Sequence, residues 1–443
     1  MSVFDDLVGQ VAVRAQLERA AFAARQQIEH AGQGGRSSST ASSGGSLTDA
    51  HEASASAPRG LGGTPESGGT ELSSARSDSS AMSQAWLFTG PPGSGRSVAA
   101  RAFAAALQCT GPVPGCGQCQ GCLSTMSGTH PDVEIMATSG VTITVEQTRS
   151  MVGRSYVSPS VGSWRIIIVE DADRMAERTT NVLLKAIEEP PPSTVWMLCT
   201  PSPDDVMTTI RSRCRNVSLV IPPAAEVAEL LVRRDGVAPE AALVAAKAAQ
   251  SHIGMARALA SNPEVAGQRD KTLREALSIR GAGDAVLAAQ RLLANASERA
   301  EAQATKNDGR ELAELKRSLG VEDGGRIPPA VRAQIRTLEE TQKRRATRAK
   351  RDVLDRAMVD MLSLFRDVLT VQLGATVELV NEDFAQAIHA LAEASTPEQS
   401  IHRMDSISQA RQRLAGNVDP LLTLEAMMLS MRPQASAGDT RFA

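Results

Sequence analysis

The apolar positions change period along the chain, and the changes divide it. Between residues 85 and 222, apolar runs of strand length alternate with helical stretches, the pattern of a mostly parallel sheet with helices on both faces. The run Arg165-Ile166-Ile167-Ile168-Val169 is apolar at consecutive positions, as a strand covered on both faces must be, and Val195-Trp196-Met197-Leu198-Cys199-Thr200 repeats it. A helix over residues 179–188 lies between them, stopped by Pro190, Pro191 and Pro192. Past Pro222 strand signals fade. Residues 224–260 read as small helices broken at Gly236 and Gly254. Residues 353–373 read as a longer helix with Leu354, Met358, Met361, Leu362, Phe365 and Leu369 on one face. A helical head over residues 3–30 precedes the sheet.

Two segments lack this order. Residues 31–83 are Ser, Gly, Ala and Thr at almost every position and cannot bury enough surface to offset the entropy of ordering, so a disordered surface insert is expected. Residues 297–351 are charged and end in Lys343-Arg344-Arg345-Ala346-Thr347-Arg348-Ala349-Lys350-Arg351. A basic run of this kind can touch DNA, but a solvated helix face or a flexible insert is the commoner reading. The expected division is an α/β domain over residues 1–222, a small helical domain over 223–280, a helical domain over 281–433 and a disordered tail over 434–443.

Composition narrows the partners. A chain of 443 residues with a formal charge of −3 is not one that coats nucleic acid by itself, and an aromatic content of 2 % leaves few platforms for stacking unpaired bases. The first residues carry neither the basic start nor the apolar stretch of a signal peptide, and no run of about eighteen apolar residues occurs. The expected location is the cytoplasm, with no membrane partner.

Three motifs carry chemistry. The first is Gly90-Pro91-Pro92-Gly93-Ser94-Gly95-Arg96-Ser97, between a strand and a helix start. Gly90, Gly93 and Gly95 let backbone N–H groups turn inward around a phosphate, and the Ser97 hydroxyl suits a magnesium ion. Arg96 stands where the pattern asks for lysine. A broad, planar guanidinium does not replace a slim ammonium in a tight cradle, so nucleotide binding can survive where efficient hydrolysis does not. The acidic pair that should end a neighbouring strand is also altered: Glu170 precedes Asp171, which reverses the usual order and displaces each carboxylate by about 1 Å. Asp173 follows them, and carboxylates merely ending a strand in solvent are the bland alternative.

The second motif is Cys109, Cys116, Cys119 and Cys122, on a loop rich in Gly and Pro. Four thiols at this spacing suit a tetrahedral structural zinc closed to water. A redox Cys-x-x-Cys pair would leave two of them unexplained. His130 is near enough to substitute as a ligand, though a loop or strand-edge role is commoner. Cys199 and Cys214 read as buried thiols. The third motif is Ser212-Arg213-Cys214, after a helix expected over residues 204–209. Arg213 is either a surface arginine or an arginine finger acting on a neighbouring subunit's phosphoryl group.

Taken together, "FDDLVGQ" at residues 4–10, "GPPGSGRS", the cysteine module, "IIIVEDADRM", "LLKAIEEPP" at 183–191, "SRC" at 212–214 and "NVDPLLTLEAMMLSMR" at 417–432 resemble the AAA+ clamp-loader subunits of bacterial DNA polymerase III. The similarity is greatest to the delta-prime type. The resemblance implies a P-loop AAA+ domain, a helical lid and an all-α collar that joins five subunits, including tau/gamma and delta, into a ring acting on the sliding clamp and primed DNA. It implies that Arg213 is a finger acting in trans, that Cys109, Cys116, Cys119 and Cys122 bind zinc, and that Thr200 takes the polar sensor position. Arg257 falls near the place of the lid's phosphate-sensing arginine. Gly90, Gly93, Ser94, Gly95, Arg96 and Ser97 would hold ATP and magnesium without turnover, and Glu170 and Asp171 form a degenerate acidic pair. The alternatives are an active tau/gamma-type, DNA-stimulated motor in which Arg96 does the work of lysine, and a nucleotide-independent scaffold held by zinc and collar.

Overall fold

The computed structural model describes residues 2–34, 82–137, 142–319, 329–416 and 418–433. Most of the expected insert at 31–83 and the tail at 434–443 lie outside the described residues. The chain forms two compact units: residues 1–91, 95–136 and 144–220 make one, and residues 92–94, 137–143 and 221–443 the other. No helix among the described residues is long and apolar enough to cross a membrane.

The first unit is built on a parallel sheet of five strands, in the order β2-β3-β4-β1-β5. These are β1 (Ala85–Thr89), β2 (Val133–Met136), β3 (Arg165–Val169), β4 (Thr194–Thr200) and β5 (Arg215–Ser218). Every residue of β1 and β4 is buried, which is why their sequences show no alternation. The helices are α1 (Val11–Gly34), α2 (Arg96–Leu107), α3 (Gln120–Ser127), α4 (Val145–Ser155), α5 (Glu177–Glu188) and the single turn α6 (Thr208–Arg211). Helix α2 is half alanine, so it packs closely on the sheet, with Phe103 edge-on to Trp86 at 4.8 Å between ring centroids. Helix α4 opens on a reciprocal capping box of Thr144 and Gln147. The segment expected as a helix over 204–209 is instead a 3₁₀ turn at Pro203–Asp205 followed by α6, because Pro203 and the capping Ser202 restart the chain there.

Strands β1 and β4 are neighbours, yet the chain leaves β1 toward the β2 edge and leaves β4 toward β5 on the other side. Diverging connections open a crevice at the carboxyl ends of those two strands, where ligands of open α/β sheets bind. The glycine loop follows β1 at that crevice, and the register pairs Thr89 with Thr200 at its floor.

The second unit is helical: α7 (Ala224–Asp235), α8 (Pro239–Ala248), α9 (Ile253–Ser261), α10 (Pro263–Ser278), α11 (Ala282–Ser318), α12 (Pro329–Gln372), α13 (Ala385–Ala394), α14 (Pro397–Ala415) and α15 (Pro420–Ser430). Val227, Leu231, Ala242 and Ala246 center one apolar cluster, over α7 to α9, and Leu292, Met358, Phe365 and Met428 a larger one over the later helices. Two expectations are corrected. Gly254 is inside α9, and the break falls earlier, at Gln250 and Ser251, whose φ values of 50° and 63° turn the chain through the left-handed region. On α12 the buried face runs through Leu354, Met358, Met361, Leu364, Phe365 and Val368, leaving Leu362 and Leu369 half-buried, since the α-helical stripe drifts from a fixed spacing. The charged segment at 297–351 continues α11 and supplies the first half of α12.

Candidate functional site

The glycine loop turns as a phosphate cradle turns. Gly90, Gly93 and Gly95 have φ of 150°, 89° and 90°, a left-handed sequence that residues with a Cβ rarely adopt, and Gly95 directly precedes α2. The cradle's own arginine folds back on it, with the Arg96 guanidinium donating to the Gly90 carbonyl. Burial pulls Arg96 below its ordinary value, opposed by the nearby carboxylates of Asp173, Asp171 and Asp205. Ser97 is half-buried in the first turn of α2, and the hydroxyl of buried Ser94 has no hydrogen-bond partner.

The acidic half departs further than its sequence indicates. Arg101, one turn along α2 from the loop, reaches Glu170 at 3.4 Å, so the carboxylate that should face a metal faces a cation. Nothing in the sequence signals that pair, whose members are 69 positions apart. Asp171 leads into a 3₁₀ turn at Ala172–Arg174, where burial raises the Asp173 carboxyl above its ordinary range. Thr200 ends β4 fully buried and donates to the Ser202 carbonyl at 3.0 Å. The glycine loop therefore fits an anion, while the magnesium half of the site does not fit. Arg257, on α9, is exposed and paired with Asp235 at 3.0 Å within the helical unit.

Arg213 follows α6 and projects at the surface. Its guanidinium donates to the Thr209 carbonyl at 2.8 Å and pairs with Glu188, at the end of α5, also at 2.8 Å, with both side chains 41 % exposed. The adjacent Cys214 thiol is pushed up to about 12 by burial, and that of Cys199, inside β4, is raised by the same cause. Both are inert thiols.

Cys109, Cys116, Cys119 and Cys122 come together, with all four Sγ atoms within 4.8 Å of one another and none in a disulfide. Tetrahedral zinc at about 2.3 Å from each thiolate requires sulfurs about 3.8 Å apart. Cys109 and Cys119 stand at 3.8 Å. The loop supplies the remaining preparation: the Cys119 backbone N–H points at Cys116 Sγ and that of Cys122 at Cys119 Sγ, each at 3.4 Å. Burial opposes ionisation of Cys119, yet backbone hydrogen bonds outweigh it and hold the thiol near about 5. A side chain at Gly111 would place its Cβ 2.8 Å from Cys116 Sγ, so only glycine fits there. The donor set and spacing fit structural zinc. His130 is outside the group, its Nδ1 accepting from the Asp132 backbone N–H at 3.1 Å.

Asp132 is a residue that sequence reasoning missed. Fully buried before β2, its carboxylate accepts from the backbone N–H groups of Ser160, Val161 and Gly162 and from the Ser160 hydroxyl, at 2.7–2.9 Å. Burial would raise its pKa, but these donors hold it at about 2. A depressed folded value means stability that is complete above about pH 4 and is lost as pH falls toward 2. Asp132→Ala is expected to lower unfolding free energy by about 3 kcal/mol at pH 7. Denaturant titrations at pH 7 and pH 3 check this, because the gap between the two proteins should narrow in acid.

Comparisons with known proteins agree with this layout. A family model described as DNA polymerase III, delta subunit, matches residues 70–222, and a second, described as DNA polymerase III, delta subunit, C terminal, matches residues 349–432. The delta' subunit of DNA polymerase III from Pseudomonas aeruginosa is 35 % identical over 153 residues, covering 34 % of this chain and 47 % of the relative. The gamma/tau subunit from Mycobacterium tuberculosis strain H37Rv is 31 % identical over 159 residues, covering 35 % of this chain and 28 % of the relative. The delta' subunit from Bacillus subtilis is 25 % identical over 365 residues, covering 79 % of this chain and 91 % of the relative. The Pseudomonas match therefore spans about half of that relative's length and the Mycobacterium match about a quarter.

Proposed function

We propose that this chain, a clamp-loader subunit of DNA polymerase III of the delta-prime type, is a stationary member of the loader. In this reading it helps place the sliding clamp on primed DNA alongside tau/gamma and delta subunits in a five-membered ring, lends Arg213 to a neighbour's ATP site, and has weak or no ATP hydrolysis of its own. The observation that carries the reading is the contrast between the two arginine sites. Arg101 on Glu170 and Arg96 on the Gly90 carbonyl engage the groups that metal and phosphate would need inside the crevice, whereas Arg213 stands at the surface, held by the Thr209 carbonyl and by an exposed carboxylate, Glu188, that a neighbour's phosphate can replace.

Each part has a physical role in this assignment. The Thr209 carbonyl and the Glu188 carboxylate orient the Arg213 fork, and an exposed pair of this kind is worth less than about 1 kcal/mol, so exchanging Glu188 for a phosphate costs little. Placed against a phosphoryl group in a neighbouring subunit, the guanidinium neutralises charge that builds up during transfer. The cysteine module, when it holds zinc, contributes cross-linking of its loop and no reactivity, because four thiolates leave no open position.

The test is made on the chain alone. Arg96→Lys is expected to tighten ATP binding by about tenfold, as a point charge replaces the folded fork, and to leave phosphate release at background because Arg101 still faces Glu170. Turnover by either the parent chain or Arg96→Lys would instead favour the motor reading. Absence of any nucleotide binding in both would leave the loop a relic in a scaffold.

A further inference from the structure

Helices α11 and α12 leave the collar core together as an antiparallel arm. Gln342 donates to the Asp308 carbonyl at 3.2 Å, Arg345 pairs with Glu311 at 2.7 Å, and farther out Leu338 and Leu315 line one groove between the helices. Among the arm's described side chains, 301–302, 304–305, 308–319 and 331–351, none is buried, so these residues add nothing to a hydrophobic core. Its charge is separated by helix. Residues 298–318 of α11 carry five basic and five acidic side chains, whereas residues 330–351 of α12 carry eight basic and two acidic ones.

The two faces of α12 are used differently. Leu338, Gln342 and Arg345 face α11, at the three-and-four spacing of one helical stripe. Away from that face, on the solvent side of α12, are Arg332, Arg336, Lys343 and Lys350 in one line, with Arg344 across Glu340 from Arg336. Arg336 is 82 % and Arg344 59 % exposed, and each is ion-paired with the exposed Glu340, at 3.4 and 3.8 Å, a pairing that phosphate would have to displace. The stripe runs for about 27 Å at 1.5 Å per residue. The positions between its cations are Glu339, Glu340, Ala346 and Thr347, without the large apolar center that a protein interface requires. The arm also has no aromatic residue on which an unpaired base could stack.

We propose that the outer face of this arm is a docking surface for duplex DNA, gripping the phosphate backbone without regard to sequence. The choice of DNA as the polyanion rests on the clamp-loader reading; the cationic stripe does not. Neutralising phosphates releases condensed counterions, so binding through about four contacts should weaken with salt at a log–log slope of about −3.6.

The test is fluorescence anisotropy of the full chain with a labelled duplex of random sequence, from about 50 to 200 mM salt. The combined variant Arg332→Gln, Arg336→Gln, Lys343→Gln and Arg344→Gln is expected to weaken binding at least tenfold and to flatten the salt slope by about 3, with helicity unchanged by circular dichroism. Glu339→Gln with Glu340→Gln should tighten binding severalfold, which provides a gain that misfolding cannot imitate. Unchanged affinity and slope in the neutralised variant, tighter binding to single strands than to duplex, or preference for an acidic polypeptide such as polyglutamate would each overturn the proposal. Arg213→Ala should leave this binding untouched, so failure here is separable from failure of the proposed role in the loader.

Discussion

Replacing Arg213 by alanine is expected to abolish ATP turnover at the neighbouring site of a reconstituted loader, slowing it by about 10³ or more, while the variant still assembles. The side chain is exposed and buries no core surface, so its loss should move the chain's own stability by less than about 0.5 kcal/mol. Arg213→Lys should rescue little, because a lysine ammonium offers a point charge where the guanidinium offers a fork. The backbone N–H of Arg213 bonds to the Ile210 carbonyl at 3.0 Å, which fixes the turn whatever side chain it carries. Steady-state ATPase and clamp loading on primed DNA, measured with assembly followed by gel filtration, check the result. Normal turnover in an assembled variant would remove the trans role and leave Arg213 a surface residue paired with Glu188.

The parts of this arrangement that were legible in the sequence are those written locally. Strands β1, β3 and β4 announce themselves as unbroken apolar runs because both of their faces are covered, and the glycine loop and the cysteine module are contiguous motifs. Strands β2 and β5 lie at the sheet edges, are four residues each and are only partly buried, so Val133–Met136 and Arg215–Ser218 carry no comparable pattern. The electrostatics at the two ends of the sheet were the least legible. That Arg101 would meet Glu170 depends on the stacking of α2 over the strand ends, and that Asp132 would hold the loop at 160–162 depends on donors about thirty positions away. Such pairs belong to the tertiary fold. The α12 arm is intermediate: its basic run was visible, but the division of that run between a face for α11 and a face for solvent was not.

Removing zinc is expected to produce the largest change in stability. Structural zinc supplies about 10–16 kcal/mol in small domains that fold only around it. Here the module packs against a hydrophobic core that extends well beyond it, so the loss should be smaller, about 4 kcal/mol, a fall in Tm of about 10 °C for a unit of this size. The effect should spread beyond the loop, because Arg25 of α1 donates to the carbonyls of Cys109, Gly111 and Pro112 at 2.8–3.0 Å, and Cys122 is fully buried against α2. Losing the tetrahedral cross-link frees the three carbonyls that α1 grips, so α1 should loosen with the module. Metal analysis of the purified chain should give one zinc, and Cys119→Ser should reduce that content and reproduce the fall in Tm. Cys199→Ser should leave zinc content unchanged, since Cys199 is in β4 outside the cluster. A chain that contains no zinc with its four thiols reduced, and whose Tm a chelator does not move, would show that packing and N–H···S contacts alone hold the module.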